Sequence, residues 1–249
     1  MNRTLLSWGL ITDVGRVRKV NQDAVNANGS LFIVADGMGG HQGGEVASRI
    51  AVGAISMVES VGSVEELEDA VIKANKLIRA KGASVPELVG MGTTVVAMGV
   101  LPADSTDGAL HLGAANVGDS RLYRFENGQL EQVSLDHSLV GELERAGQIT
   151  ADEAARHPQR NVVTRALGAD DDVDVDTWII PARHGQRYLL CSDGLVNEVS
   201  DEEISKELAT VADPAQAAEN LAKAANESGG RDNITILILD IADDSTDDS

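Results

Sequence analysis

Four aspartates stand where apolar runs stop. Asp36 follows LFIVA (31–35), Asp193 follows RYLLCS (187–192), Asp232 directly precedes NITILIL (233–239), and Asp119 sits in NVGDSR (116–121) between two strand-like runs. Strand ends deliver such side chains to one edge of a sheet. Four carboxylates converging there would repel one another unless cations lay between them. Oxygen ligands, with one cysteine in the chain and no paired histidines at ligand spacing, suit hard octahedral ions, magnesium or manganese, better than zinc. An aspartate beside a glycine at a strand end is also ordinary turn chemistry. That accounts for any one of these sites more easily than for all of them together.

Other chemistries compete for the same residues. In VADGMGGHQGGE (34–45) a glycine-rich turn follows a strand-like run and precedes a helix-like one, the context of a phosphate cradle. The dinucleotide spacing would need glycine at 42, where Gln42 stands, and no Gly-Lys-Ser/Thr follows. The next element, 63–80, reads as a second helix, so no βαβ unit closes. A cysteine-nucleophile phosphatase built on Cys191 would want arginine at 197, where Asn197 stands. DVDTW (174–178) has the spacing of an aspartate nucleophile motif but follows Gly168–Asp172 instead of a buried strand.

The elements that must position the aspartates are legible from periodicity. Helical apolar spacing covers 44–59, 63–80 (with Ser63 and Glu66 in a capping-box pattern) and 214–226 (Pro214 in its first turn). Strand-like runs are 31–35, 93–101, 110–117, 120–125, 129–133, 187–191 and 233–239, and the N-terminal segment reads as a first strand instead of a signal peptide. Asn127-Gly128 is a hairpin turn signal, and 102–109 joins another pair. Hairpins with two helices in succession predict an α+β chain. Runs apolar at every position predict sheets packed on each other with helices outside. Segment 136–170 is polar and short-stepped, and predicts small helices inserted over the sheet edge, with mobility of their own. We read one domain over 1–240 and an acidic, disordered tail over 241–249.

Composition narrows the partners. With 40 acidic against 20 basic residues the net charge is −20, which repels nucleic acid and anionic membranes at long range. Aromatics are only 2% of the chain, too few for base-stacking platforms. The acidic run 170–176 reads as a solvated loop. A single cysteine excludes an internal disulfide and fits a reducing cytoplasm.

DVGRVRKVNQDA (13–24), VADGMGGH (34–41), GTT (92–94), NVGDSRLY (116–123), SLDHS (134–138), HPQRNVVTRALG (157–168), LLCSDGL (189–195) and GGRDNIT (229–235) together resemble the ordered motifs of the metal-dependent protein phosphatase type 2C family, in its bacterial subgroup that writes DGMGG. The resemblance runs from about residue 7 to 240. It implies a four-layer αββα sandwich of two packed antiparallel sheets, and a serine/threonine phosphoprotein phosphatase with two manganese or magnesium ions. A water activated between those ions would attack phosphorus directly, without a phosphoenzyme. Asp36 would bridge the ions and Gly37 would give its carbonyl to one, a side chain at 37 being expected to crowd the ion. Asp193 and Asp232 would complete the site, and Asp119 would help hold a third, weaker ion. Gln22, Asp23 and Asn233 would act around the ligands, mostly through water, and Arg18 would grip the phosphate.

Two departures stand out. Gln22 replaces a glutamate common in relatives. Met38 occupies the place of the eukaryotic general-acid histidine, leaving His41, three residues later, as the candidate proton donor. The implied partners are phosphorylated proteins, including serine/threonine kinases and their substrates, met in the cytoplasm by a monomer. A catalytically silent binding module on the same fold is the alternative class. The retained aspartates and Arg18 count against it.

Overall fold

A computed structural model describes residues 4–39, 42–58, 60–102 and 110–243. Its strands are β1 (Thr4–Asp13), β2 (Ala24–Ala27), β3 (Leu31–Ala35), β4 (Gly37–Met38), β5 (Gly92–Thr93), β6 (Val95–Leu101), β7 (His111–Val117), β8 (Arg121–Glu126), β9 (Gln129–Gln132), β10 (Asp176–Pro181), β11 (Arg187–Cys191) and β12 (Ile234–Asp243). The helices are α1 (Gly43–Ile55), α2 (Val64–Ser84), α3 (Leu139–Arg145), α4 (Ala151–Ala155), α5 (Asp193–Val196), α6 (Asp201–Thr210) and α7 (Pro214–Ser228), with a 3-10 turn at Pro86–Leu88.

The all-apolar runs are explained by burial on both faces. Five strands in the order β1-β12-β11-β8-β9 form one sheet and β10-β7-β6-β3-β2 the other, every neighbouring pair antiparallel. Alternate residues of β3 point opposite ways. Phe32 and Val34 meet Leu122, Tyr188, Leu190 and Leu237 between the sheets. Leu31, Ile33 and Ala35 meet Ala51 and Ile55 of α1 and Leu67 and Ile78 of α2 on the outside. The other sheet turns Leu189, Cys191, Ile236 and Ile238 outward to Ile204 and Leu208 of α6 and Ala218 and Leu221 of α7. The predicted α+β, four-layer sandwich is thus the observed one.

Local signals held with adjustments. Asn127 (φ 52) and Gly128 (φ 78) make the tight turn between β8 and β9, both left-handed as a type I′ turn requires. Ser63 accepts from the Glu66 N–H at 3.4 Å, but the Glu66 carboxylate reaches past Ser63 to the Gly62 N–H (2.8 Å), so the predicted reciprocal box is displaced by one residue. Strand 93–101 is interrupted at Thr94, for a reason that lies in the site. The 102–109 connection joins β6 to antiparallel β7, and residues 103–109 lie outside the described residues.

Two expectations are corrected. The domain boundary at 240 is too early: β12 pairs with β1 through Ile241↔Leu6, Ala242↔Leu5 and Asp243↔Thr4, so of the expected tail only 244–249 lies outside the described residues. The run 170–176 is not simply solvated. Val173 and Val175 pack on the α1–α2 core, Asp171 pairs with Arg79, and Asp176 opens β10, an edge strand absent from the sequence reading. Helix α6 was also absent from it. Arg187 anchors the end of α6 to the sheet, donating to the Leu208, Val211 and Ala212 carbonyls and to both Asp240 oxygens. Segment 136–170 does contain two short helices, and it is tied back by the bridges Ser138↔Val163 and Thr93↔Leu167.

Candidate active site

Asp36 leaves β3 at the edge where the two sheets open, and its backbone is clamped there. Thr94 Oγ1 accepts from the Asp36 N–H (3.0 Å), while the Asp36 carbonyl accepts from the Thr94 N–H (2.9 Å) and from Thr93 Oγ1 (2.8 Å). Thr94 leaves the β6 ladder to make these bonds. Gly37 must be glycine on packing grounds alone. A Cβ there would lie 2.2 Å from the Gly44 carbonyl oxygen and 2.5 Å from that of Gln22. Close backbone packing of the α1 start against the 22–23 segment demands the glycine, a reason additional to the expected one.

The other aspartates arrive from separate elements. Asp193 opens α5, its Oδ2 accepting from Asn197 Nδ2 at 3.0 Å. Asp119 lies in the β7–β8 turn and is 8% exposed. Asp232, just before β12, accepts from Arg18 at 2.6 Å and from the Asn233 N–H at 2.9 Å. Arg18, Gln22, Asp36, Gly37, Asp119, Asp193 and Asp232 all line one cavity of about 340 Å³, with Asn161 and Val163 on its far wall. A larger cavity of about 600 Å³ adjoins it, shares Asp119 and Asp193, and runs between α3–α4 and α5.

Asp23 is buried behind the cavity, Oδ2 accepting from Ser192 Oγ at 2.8 Å. Asn233 has a structural task the sequence did not announce. Its Nδ2 donates to the Val14 and Val20 carbonyls (3.0 Å each) and its Oδ1 accepts from the Gln22 N–H (2.8 Å), which fixes the loop carrying Arg18. The Gln22 carbonyl accepts from Ser48 Oγ at 2.6 Å. His41, the expected proton donor, lies outside the described residues.

Electrostatics show what the arrangement lacks. Burial, with Asp23, Asp193, Asp119 and Asp232 around it, holds the Asp36 carboxyl well above the usual carboxylate range. Burial also pushes Asp23 and Asp119 up to about 7, and burial with Asp232 nearby raises Asp193. Arg18, bound to Asp232, is the one positive side chain among the described residues on the cavity wall. Among the described residues Asp23 Oδ1 and Asp193 Oδ1 are buried without a hydrogen-bond partner, an expensive condition for a carboxylate. Among the described residues no three Asp, Glu, His or Cys side chains close on a single point as a metal site; the carboxylates line the cavity instead. Orphaned, mutually repelling oxygens of this kind fit hard divalent cations.

This predicts an unusual pH response. Folded-state values near 7 for Asp23 and Asp119 exceed the ordinary 3.8, so between about pH 4 and 7 the folded state binds more protons than the unfolded one, and stability falls as pH rises. With chelator, the urea midpoint is expected to be lower at pH 7.5 than at pH 5.5. Saturating manganese is expected to raise it more at pH 7.5, where protons no longer compete. An equal manganese shift at both pH values would contradict the assignment.

Comparison with known proteins gives a consistent result. Residues 15–227 match the model of the family described as protein phosphatase 2C. The chain is 40% identical over 246 residues to the serine/threonine phosphatase stp of Listeria monocytogenes, covering 92% of this chain and 93% of that protein. The crystal structure of the Mycobacterium tuberculosis serine/threonine phosphatase PstP/Ppp superposes with a TM-score of 0.88 at 38% identity, over 95% of this chain and 99% of that one. A PstP catalytic domain in complex with two manganese ions superposes with a TM-score of 0.86 at 37% identity, over 96% of this chain and 100% of that one.

Proposed function

The chain belongs to the protein phosphatase 2C family, and from that membership and the chemistry of the carboxylate cavity we propose that it hydrolyses phosphoserine and phosphothreonine in proteins with a pair of manganese or magnesium ions. The observation that carries this reading is the convergence of Asp36, Asp119, Asp193 and Asp232 on one cavity, with buried carboxylate oxygens that no described residue partners behind and beside it. Asp36, the Gly37 carbonyl, Asp193 and Asp232 would hold the pair, and Asp119 would serve a third, weaker ion. When bound, such ions make water nucleophilic near neutral pH and offset charge on the phosphoryl group.

The chain's own residues supply the positioning. Thr93 and Thr94 fix Asp36 through its backbone, and Asn233 fixes the Arg18 loop. Arg18, half exposed and held by one bond to Asp232, can turn its planar fork to two phosphate oxygens. Cys191 takes no part. Its thiol is fully buried under α7 and pushed up to about 12 by that burial, so it is packing and no nucleophile. Among the described residues no helix is long and apolar enough to cross a membrane. We place its work in the bacterial cytoplasm, in signalling, as a monomer acting on serine/threonine kinases and their substrates. The buried, unpaired cysteine and the charge of −20 support that setting.

The direct test is release of inorganic phosphate from phosphothreonine and phosphoserine peptides by the purified chain. Release from both is expected. Peptide binding with no release of phosphate would favour the silent binding module.

A further inference from the structure

Two of the sequence motifs, SLDHS and HPQRNVVTRALG, supply no charged group to the site as described, yet they meet at one buried side chain. We propose that His137 is a positioning residue, which seats the Gly118–Asp119 turn against the base of segment 136–170 through a single imidazole. This rests on the role proposed above for Asp119.

Both polar backbone groups of Gly118 are taken up by residue 137. The Gly118 N–H donates to His137 Nδ1 at 3.0 Å, and the His137 N–H donates to the Gly118 carbonyl at 3.0 Å. The turn has little other freedom: Gly118 is left-handed (φ 107), and a Cβ there would lie 2.5 Å from Thr94 Cγ2. On its other edge, His137 Nε2 stands 3.1 Å from Asp176 Oδ2, and the second Asp176 oxygen accepts from Arg165 at 2.7 Å. The His137 carbonyl accepts from the Thr164 N–H at 2.8 Å. The residue therefore joins the Asp119 turn, the returning end of segment 136–170 and β10.

The partners decide the tautomer. A backbone N–H pointing at Nδ1 requires that atom to be bare, which places the proton on Nε2, facing Asp176. Arg165, 3.0 Å from Nε2, then acts through Asp176 and not through the ring, since both nitrogens are donors. The imidazole has one acceptor for the turn and one donor for the segment base, and no other neutral side chain offers both at this spacing.

Two amide substitutions separate the two edges. The asparagine oxygen in His137→Asn can take the place of Nδ1, keeping the Gly118 contact and losing Asp176. The glutamine nitrogen in His137→Gln can take the place of Nε2, keeping Asp176 and losing Gly118. Amide hydrogen exchange at Gly118, read by NMR on the full chain in chelator, is independent of turnover. In His137→Gln it is expected to be roughly tenfold faster than in the unaltered chain. With manganese, kcat on a phosphothreonine peptide is expected to fall about tenfold while KM stays within about twofold. His137→Asn is expected to restore both Gly118 protection and most of kcat.

Equal losses in the two variants would reduce His137 to packing and overturn the proposal. An unchanged Gly118 amide in His137→Gln, or a loosened one with unchanged kcat, would also overturn it. Should His137→Gln fail to fold, His137→Asn decides alone, against His137→Ala: kcat matching the alanine variant overturns the proposal. Absence of turnover in the unaltered chain would instead be a failure of the phosphatase reading, and the Gly118 amides would still report on His137.

Discussion

Asp36→Asn is expected to lower phosphate release by about a thousandfold or more, while making the metal-free protein more stable. The two effects have one cause. The Asp36 carboxyl is buried among Asp23, Asp193, Asp119 and Asp232, which hold it well above the usual carboxylate range. A neutral isostere removes that repulsion from the folded state and with it the charge that would draw two cations together. The backbone clamp by Thr93 and Thr94 does not involve the side chain, so the fold keeps its anchor. Urea denaturation in chelator at pH 7.5, beside phosphate release in manganese, checks both. Loss of activity accompanied by loss of metal-free stability would indicate damage to the fold, and would contradict the ligand role.

Gly194→Ala is expected to destabilise the protein by about 3 kcal/mol, the upper part of the range for overpacking, and to weaken manganese binding together with activity. A methyl at 194 would lie 1.9 Å from the Asn233 carbonyl oxygen and 2.9 Å from its carbon. Both are backbone atoms, so no flexible side chain can give way. Gly194 follows Asp193 and Asn233 follows Asp232, so relief of the clash must move the two proposed ligand segments apart. Gly53→Ala, at an exposed position of α1 with nothing among the described residues within 4 Å of the added carbon, serves as control. It is expected to stabilise by about 0.5–1 kcal/mol through helix propensity. Denaturation midpoints with and without manganese distinguish the two. A Gly194→Ala protein with unchanged stability and turnover would contradict the proposed closeness of α5 and β12.

What could be read from the sequence was whatever is encoded locally. Runs such as LFIVA and VVAMGVL announce strands covered on both faces, and Asn127-Gly128 announces its turn, because neighbouring residues suffice to specify them. The aspartates were legible for the same reason, each standing within two residues of the end of a buried run. β10 was missed because DTWIIP starts in an acidic run, ends in proline and has only Ile180 fully inward. α6 was missed because DEEISKELAT buries just Ile204 and Leu208; the Ser200–Glu203 capping box, formed in both directions, was the available signal. The contacts of Asn233 and His137, and the backbone packing at Gly37, depend on partners that local pattern does not specify. No periodicity reports on a carbonyl of Gly44 meeting position 37 or on Gly118 pointing at an imidazole.

On the function proposed above, this carboxylate cavity works through divalent ions on phosphoproteins. The most direct measurement titrates manganese into chelator-stripped protein and follows both ion binding and phosphate release from a phosphothreonine peptide. The expected result is no release above background without metal, and release that rises and saturates with the binding of two ions, the number held by the PstP catalytic domain. Release that persists in excess chelator, or two ions bound with no release, would contradict it.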